Sequence, residues 1–216
     1  MTLTRTLALA AIGLAGFSGS ALAADLYVPP AQPAPVAQAP AATDWDGPYV
    51  GASVGYGWGT ATDTTVAPND STNLTGYFVG GQIGYNFHHT NNVVAGVEGD
   101  LNWNNQSGTF AGMAGPDTFR INWDGSVRGR LGLDVDGILP YAEAGVAFAN
   151  ATDSIGGGVT NTQTGWTAGA GIEFKVADPV SLNVEYRYTD YGSATYGADS
   201  VGVTNNTVRG GVNYHF

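Results

Sequence analysis

The chain has 216 residues, a length that suits a single domain. Its 33 glycines and only 12% charged residues argue against a helical bundle, which needs more Leu, Lys and Glu. A formal net charge of −11 disfavours a nucleic-acid partner, and the absence of cysteine excludes disulfides and thiolate chemistry.

The first 23 residues have the three parts of a secretory signal peptide. Arg5 provides the positive start, a short apolar stretch follows, and Ala21-Leu22-Ala23 has the small-x-small pattern of a cleavage site. The apolar stretch is too short for a transmembrane helix, which needs about 20 residues. We therefore expect cleavage after Ala23 and a mature chain that begins at Ala24.

Residues 24–47 are expected to form a spacer between the signal peptide and a folded domain. Five of the 10 prolines lie between residues 24 and 43, with almost no charge. Such a sequence cannot build a core and favours extended polyproline conformation, so roughly 20 residues could reach about 60 Å. The predicted domains are a signal peptide at 1–23, the spacer at 24–47 and a β-barrel at 48–216.

From residue 48 onward, apolar or aromatic residues stand at every second position for about ten residues at a time. This is the period of a β-strand with two different faces. The eight segments are Pro48–Gly59, Thr75–Phe87, Asn92–Trp103, Phe119–Leu133, Leu139–Asn150, Gln163–Val176, Val180–Tyr191 and Thr207–Phe216.

The connections between these segments alternate between short and long. The short ones are His88–Asn91, Asp134–Ile138 and Ala177–Pro179. The long polar ones, expected to be external loops, are Thr60–Leu74, Asn104–Thr118, Ala151–Thr162 and Ser193–Asn206. This alternation predicts an all-β fold, an eight-stranded antiparallel up-and-down transmembrane β-barrel with short turns on the periplasmic side.

The charged residues share one face of these segments. A soluble lipocalin-type barrel would point its apolar faces inward, whereas a membrane barrel points them at lipid and encloses the polar ones. Five of the six basic residues that remain after cleavage alternate with carboxylates on the polar faces, which favours a closed interior of ion pairs. The predicted interior network is Glu98, Asp100, Asp124, Arg128, Arg130, Glu143, Glu173, Lys175, Glu185, Arg187 and Arg209.

Aromatic residues collect near both ends of the predicted strands. Aromatic bands about a membrane thickness apart are typical of the two interfaces of a membrane barrel, and a soluble core would not produce both. The predicted bands consist of Trp58, Trp103, Trp123 and Trp166 near the loop end, and of Tyr85, Phe87, Phe174 and Tyr214 near the other end.

Several motifs, in this order, resemble a known family. They are W-D-G-P-Y-V-G-A-S-V-G-Y-G-W-G at Trp45–Gly59, G-G-Q-I-G-Y-N-F at Gly80–Phe87, G-V-E-G-D at Gly96–Asp100, N-V-E-Y-R-Y-T-D-Y-G at Asn183–Gly192, and the ending V-R-G-G-V-N-Y-H-F. They are similar to the small outer-membrane β-barrels of alphaproteobacteria, the RopB-like, opacity-type "porin family" proteins related to the OmpA membrane domain.

This resemblance implies a place in the outer membrane of a Gram-negative cell, among membrane lipids and lipopolysaccharide. It implies that Phe216, after alternating aromatics, is the signal read by the barrel-assembly machinery. In some members of the family, an Ala-Asp amino terminus resembles the point of covalent attachment to peptidoglycan, which makes Ala24 a possible attachment residue. The alternative is that residues 24–47 are a plain linker.

The sequence favours a structural role in envelope integrity. The interior of an eight-stranded barrel is just wide enough to be filled by its own side chains, which argues against an open diffusion pore. A narrow porin for small solutes and a surface adhesin or recognition protein that acts through its loops are the alternatives.

An enzyme is not expected. The histidines, His88, His89 and His215, lie near the periplasmic end, away from the acidic loops, so the sequence predicts no catalytic site. Adjacent histidines in a turn suggest a haem or metal pair, but no carboxylate in the turn would orient them. We therefore predict no cofactor and no metal site.

Overall fold

The computed structural model describes residues 45–65, 70–89, 92–110, 117–154, 158–197 and 199–216. Within these ranges the strands are β1 (Gly47–Asp63), β2 (Asp70–His89), β3 (Val93–Asn104), β4 (Ser107–Phe110), β5 (Asp117–Leu133), β6 (Ile138–Asp153), β7 (Val159–Ala177), β8 (Val180–Tyr196) and β9 (Asp199–His215). The described part of the chain has no helix that is long and apolar enough to span a membrane. The predicted signal peptide and all of the predicted spacer before Trp45, including Ala24, lie outside the described residues.

The strands form a closed antiparallel barrel. Each strand pairs with its neighbours around the barrel. The pairing of β1 with β9, which places Tyr49 opposite His215, closes it. The strands β3 and β4 occupy one position, because both pair with β2 and β5. Between them the chain is interrupted at Asn105 and Gln106, and the Gln106 side chain is buried in the interior. The nine strands of the described residues therefore make eight positions, which confirms the predicted eight-stranded barrel.

The outer wall is apolar along most of each strand and then becomes polar over one or two residues. On β1 the outward side chains run through Val50 and Val54 to Tyr56 and Trp58, all exposed, and the next is Thr60. From Val50 to Trp58, at about 3.3 Å per residue and a strand tilt of about 40°, this outward run spans about 20 Å, close to the apolar band of membrane barrels, which is about 25 Å tall. The outward side chains of the other strands change from apolar to polar in the same way. The last apolar and the first polar residue are Tyr77 and Thr75, Trp103 and Asn105, Trp123 and Arg120, Phe148 and Asn150, Trp166 and Thr164, Tyr188 and Asp190, and Val208 and Asn206.

Above this level the strands continue, so the prediction of four long external loops was wrong. Strands occupy most of the predicted loops Thr60–Leu74, Ala151–Thr162 and Ser193–Asn206, and most of the described residues of Asn104–Thr118. The reason is that most inward positions of this upper part are apolar and pack together, which stabilises by about 1.5–3 kcal/mol for each large side chain that is fully buried. This upper apolar core consists of Ala61, Leu74, Phe110, Phe119, Ile121, Ala147, Ala149, Ala151, Tyr191, Tyr196, Val201 and Val203.

A β-bulge in β5 changes which side chains point inward. Ile121 lies opposite Ala151 and Trp123 opposite Asn150, so Asn122 is an extra residue in this strand. Strict alternation placed Ile121 on the outer face with Trp123. That placement was wrong, because Ile121 is fully buried in the upper apolar core.

The turns at the end of the barrel that is predicted to be periplasmic are short, as predicted, and this end is called the periplasmic end below. Between β5 and β6 the residues Val135 and Ile138 form a two-residue hairpin around Asp136 and Gly137. Both central residues have positive φ, 52° and 84°, the geometry for which Asp-Gly is favoured.

Candidate functional site in the barrel lumen

Asp100 is the centre of a buried ion-pair network at mid-height in the lumen. Its Oδ2 atom accepts hydrogen bonds from Nη1 of Arg128 at 2.9 Å, Arg187 at 2.6 Å and Arg209 at 2.9 Å. The four residues come from β3, β5, β8 and β9, and the Asp100 side chain is 1% exposed. Charge-assisted hydrogen bonds of this kind are about twice as strong as neutral ones, and here they join opposite walls of the barrel.

Three further carboxylates surround these arginines. Arg128 pairs with Glu98 and with Glu143 at 2.9 Å, and Arg187 pairs with Glu143 at 3.0 Å and Glu185 at 2.6 Å. Oxygen atoms of the three glutamates lie within 4.8 Å of one another, as in a metal site. The guanidinium groups of Arg128 and Arg187, however, already supply the positive charge that such a cluster needs.

A second group of buried polar residues lies nearer the periplasmic end. Arg130 donates to Glu173 at 2.7 Å and to the Tyr49 hydroxyl at 2.9 Å, and that hydroxyl donates to Glu98 at 2.6 Å. The Tyr49 ring covers Gly84, where a Cβ atom would collide with it. Glycine at position 84 therefore makes room for the tyrosine that links the two groups.

Ser181, His215 and Glu173 meet at this end without forming a catalytic triad. Both Ser181 Oγ, at 3.0 Å, and Glu173 Oε1, at 3.3 Å, contact the same nitrogen, His215 Nε2. A hydrolytic triad needs the nucleophile at one ring nitrogen and the carboxylate at the other. Ser181 is also fully buried, which keeps a substrate away from its hydroxyl.

Asp124 lies at the top of the network, beneath the upper apolar core. Its carboxylate accepts hydrogen bonds from Asn102 Nδ2 at 2.6 Å and from the Tyr191 hydroxyl at 2.9 Å. The space between Asp124, Asp100, Arg187 and neighbouring side chains has a volume of about 10 Å³. This volume holds about one water molecule, so side chains fill the lumen at this level.

Trp45 packs inside the periplasmic mouth of the barrel. Although it lies in the predicted spacer, its side chain is fully buried and packs with Val94 and Leu139. Its ring meets the His215 ring edge-on, with 5.7 Å between the centroids. A signal for this residue exists in the sequence, an aromatic side chain two residues before the first strand, but alternation of residue types does not place it in the lumen.

Lys175 lies at the same mouth. Its Nζ atom is 5.2 Å from the centre of the Trp45 ring and 3.9 Å from the exposed carboxylate of Asp178 in the turn before β8. The structure thus places Lys175 at the periplasmic end of the predicted network. The other ten predicted network residues are buried in the lumen, and they are Glu98, Asp100, Asp124, Arg128, Arg130, Glu143, Glu173, Glu185, Arg187 and Arg209.

The residues of the predicted aromatic bands point outward. Trp58, Trp103, Trp166, Tyr85, Phe87 and Tyr214 are exposed, and Trp123 and Phe174 are half-buried. Further aromatics extend the upper band, through contacts of Tyr56 with Trp58 and Tyr77, of Trp123 with Phe148, of Tyr186 with Trp58, and of Tyr188 with Trp166.

Phe216, the predicted assembly signal, lies at the periplasmic end, where the sequence also has the histidine pair His88-His89. Phe216 is 75% exposed, and its backbone N–H donates to the Pro48 carbonyl at 3.1 Å, next to Tyr214. The side chains of His88 and His89 lie outside the described part of the chain.

Comparisons with known proteins agree with this architecture. The family described as "Outer membrane protein beta-barrel domain" matches residues 33–216. The chain is 35% identical to the 25 kDa outer-membrane immunogenic protein of Brucella abortus, with 100% of both chains covered. It is 34% identical to the 22 kDa outer membrane protein of Rhizobium leguminosarum, over 86% of this chain and 83% of that one. The crystal structure of Neisserial surface protein A shares the fold, with a TM-score of 0.53 at 18% identity over 78% of this chain and 97% of that chain.

Proposed function

The chain belongs to the outer membrane protein beta-barrel domain family, and from this premise we propose that it is a structural protein that maintains the integrity of the outer membrane. Its location is the outer membrane, among lipids and lipopolysaccharide. The curated relatives reported above are named as outer-membrane proteins, and none of those names describes a catalytic activity.

The observation that carries the proposal is a lumen occupied at three levels by its own side chains. Trp45 fills the periplasmic mouth, the network around Asp100 fills the middle, and the upper apolar core fills the external end. An ion crossing this lumen would have to break buried ion pairs and then shed its water among apolar side chains, which is costly. This arrangement supports a structural role in the outer membrane over a role as a diffusion pore.

Single-channel recording tests this proposal against the narrow-porin alternative. The refolded full-length mature chain is inserted into a planar bilayer, and insertion is verified from heat-modifiable migration on a gel. We expect no steady conductance. Steady openings of the size expected for dissolved ions would overturn the structural proposal and show that the arginines and carboxylates of the lumen line a channel.

The second part of the proposal is a covalent tether from Ala24 to peptidoglycan. It is supported by the Ala24-Asp25 sequence after the predicted cleavage site and by the proline-rich segment, whose extended length of about 60 Å suits a long reach. Mass spectrometry of muropeptides from purified sacculi should detect a peptide that begins at Ala24 and is linked to peptidoglycan.

A variant that lacks residues 29–40 is the control for the tether, since it keeps Ala24 and the barrel but loses most of the reach. It should reach the outer membrane and yield fewer linked muropeptides. Absence of any linked Ala24 peptide in the wild type would refute the tether. The structural role in the outer membrane is tested separately, by the conductance measurement.

A further inference from the structure

One positive charge of the mature chain points outward from the barrel wall. Of the six basic residues after the signal peptide, four arginines are buried in the lumen and Lys175 is 9% exposed at the mouth. The sixth, Arg120, is exposed on the outer face of β5, between the inward side chains Phe119 and Ile121. Among the ion pairs formed by the described residues, none involves Arg120.

Arg120 lies just above the upper aromatic band. Trp123, three residues further along the same strand, lies opposite Trp103 of β3, and both belong to that band. Because Asn122 is an extra residue, Arg120 and Trp123 lie opposite Thr152 and Asn150, only two residues apart on β6. With about 3.3 Å per residue and a strand tilt of about 40°, Arg120 is about 5 Å further from the membrane centre than Trp123. Because interfacial tryptophans lie at the headgroup level, this height corresponds to the headgroups of the outer leaflet.

The groups beside Arg120 are neutral hydrogen-bonding groups. Its cross-strand neighbours are Ser107 on β4 and Thr152 on β6. The Asn122 amide donates to Thr152 Oγ1 at 2.8 Å and to Asn150 Oδ1 at 3.1 Å, which holds this part of the wall together. The Arg120 charge therefore sits on an ordered polar surface.

We propose that Arg120, with the hydroxyl and amide groups beside it on β4, β5 and β6, binds a phosphate group of lipopolysaccharide in the outer leaflet. A guanidinium group fits phosphate oxygens through paired N–H donors. The nearby carboxylate of Asp153 is 2% exposed and on the inner face, so it does not compete from the outer surface. The proposal depends on the outer-membrane location and not on the structural role proposed above.

Native mass spectrometry of the refolded barrel tests the site, with a rough lipopolysaccharide that carries lipid A and inner-core phosphates titrated in the presence of EDTA. Arg120→Gln is expected to weaken binding about three- to tenfold, as suits one exposed charge-assisted contact. Because Arg120 is exposed, this variant should fold normally, and the heat-modifiable gel band verifies that it does.

Two double variants separate a defined site from a general charge effect. Thr152→Arg in the Arg120→Gln background returns the charge to the adjacent strand and should restore binding. Thr60→Arg in the same background places the charge near the same height on β1, another part of the wall, and should not restore it.

Three results with lipopolysaccharide itself would overturn the proposal. They are unchanged binding by Arg120→Gln, equal restoration by Thr60→Arg and Thr152→Arg, and equal binding of the enzymatically dephosphorylated lipopolysaccharide. Equal affinity for phosphatidylglycerol micelles, or displacement by millimolar inorganic phosphate, would also overturn it, because either shows a general anion contact.

Discussion

Replacement of Asp100 with Asn should destabilise the barrel strongly. The Oδ2 atom of Asp100 is the shared partner of Arg128, Arg187 and Arg209, at 2.6 to 2.9 Å, and all four side chains are buried. Asn keeps the volume but not the charge, and loss of one partner of a buried ion pair costs about 3–5 kcal/mol. We expect about 3 kcal/mol, the lower end, because each of the three arginines keeps a second carboxylate.

Urea unfolding of the refolded protein in detergent micelles measures this loss, with the folded fraction read from the heat-modifiable gel band. At a slope of about 2 kcal/mol per molar urea, about 3 kcal/mol lowers the midpoint by about 1.5 M. Asp178→Asn is the matched control, because its carboxylate is 92% exposed and solvent screens its pairing with Lys175. If Asp100→Asn folds and unfolds at the wild-type midpoint, the ion-pair network does not stabilise the barrel and the argument fails.

Three other substitutions test the remaining levels of the molecule by the same unfolding assay. Trp45→Ala should cost about 3–5 kcal/mol, because it empties the periplasmic mouth, and an unchanged midpoint would show that this tryptophan does not pack there. Phe119→Ala should cost a similar amount, and the exposed neighbour Thr118→Ala little, whereas equal effects would contradict a packed upper core. Val127→Arg, halfway along the lipid-facing run of β5, should cost about 2–4 kcal/mol, while Thr162→Arg on the upper outer wall should be tolerated. If Thr162→Arg cost more than Val127→Arg, the lipid-facing band would lie at a different height on the barrel.

Alternation of residue types was enough to predict the barrel and the direction of its faces. Leu182 and Arg187, for example, stand on opposite faces of one strand by count alone, and the structure places the first outside and the second in the lumen. The pairing partners could not be predicted, because Arg187 meets Asp100 only after the barrel closes and brings residues 87 positions apart into contact.

The strands above the upper aromatic band were not predicted, because the outward and the inward residue types both change at that level. Above the aromatic band, most outward positions are polar, chiefly Thr and Asn, while most inward ones are apolar, as in a soluble barrel. Val201 and Val203 are inward and buried in a segment whose average composition is that of a loop. Composition therefore predicted loops, and a search for period-two apolar positions alone would have favoured strands.

The bulge at Asn122 has a consequence for how the chain can change length over evolution. Deletion of Asn122 would return β5 to regular alternation, and Phe119 and Trp123 would keep their present directions. Deletion of a residue between 124 and 132 would instead turn one part of the strand inside out and expose arginine to lipid. Gly192, the extra residue where β8 opposes β9, is a second such point. Val176, the extra residue where β7 opposes β8, is a third. Single-residue insertions and deletions within the strands of related chains should therefore concentrate at these three positions.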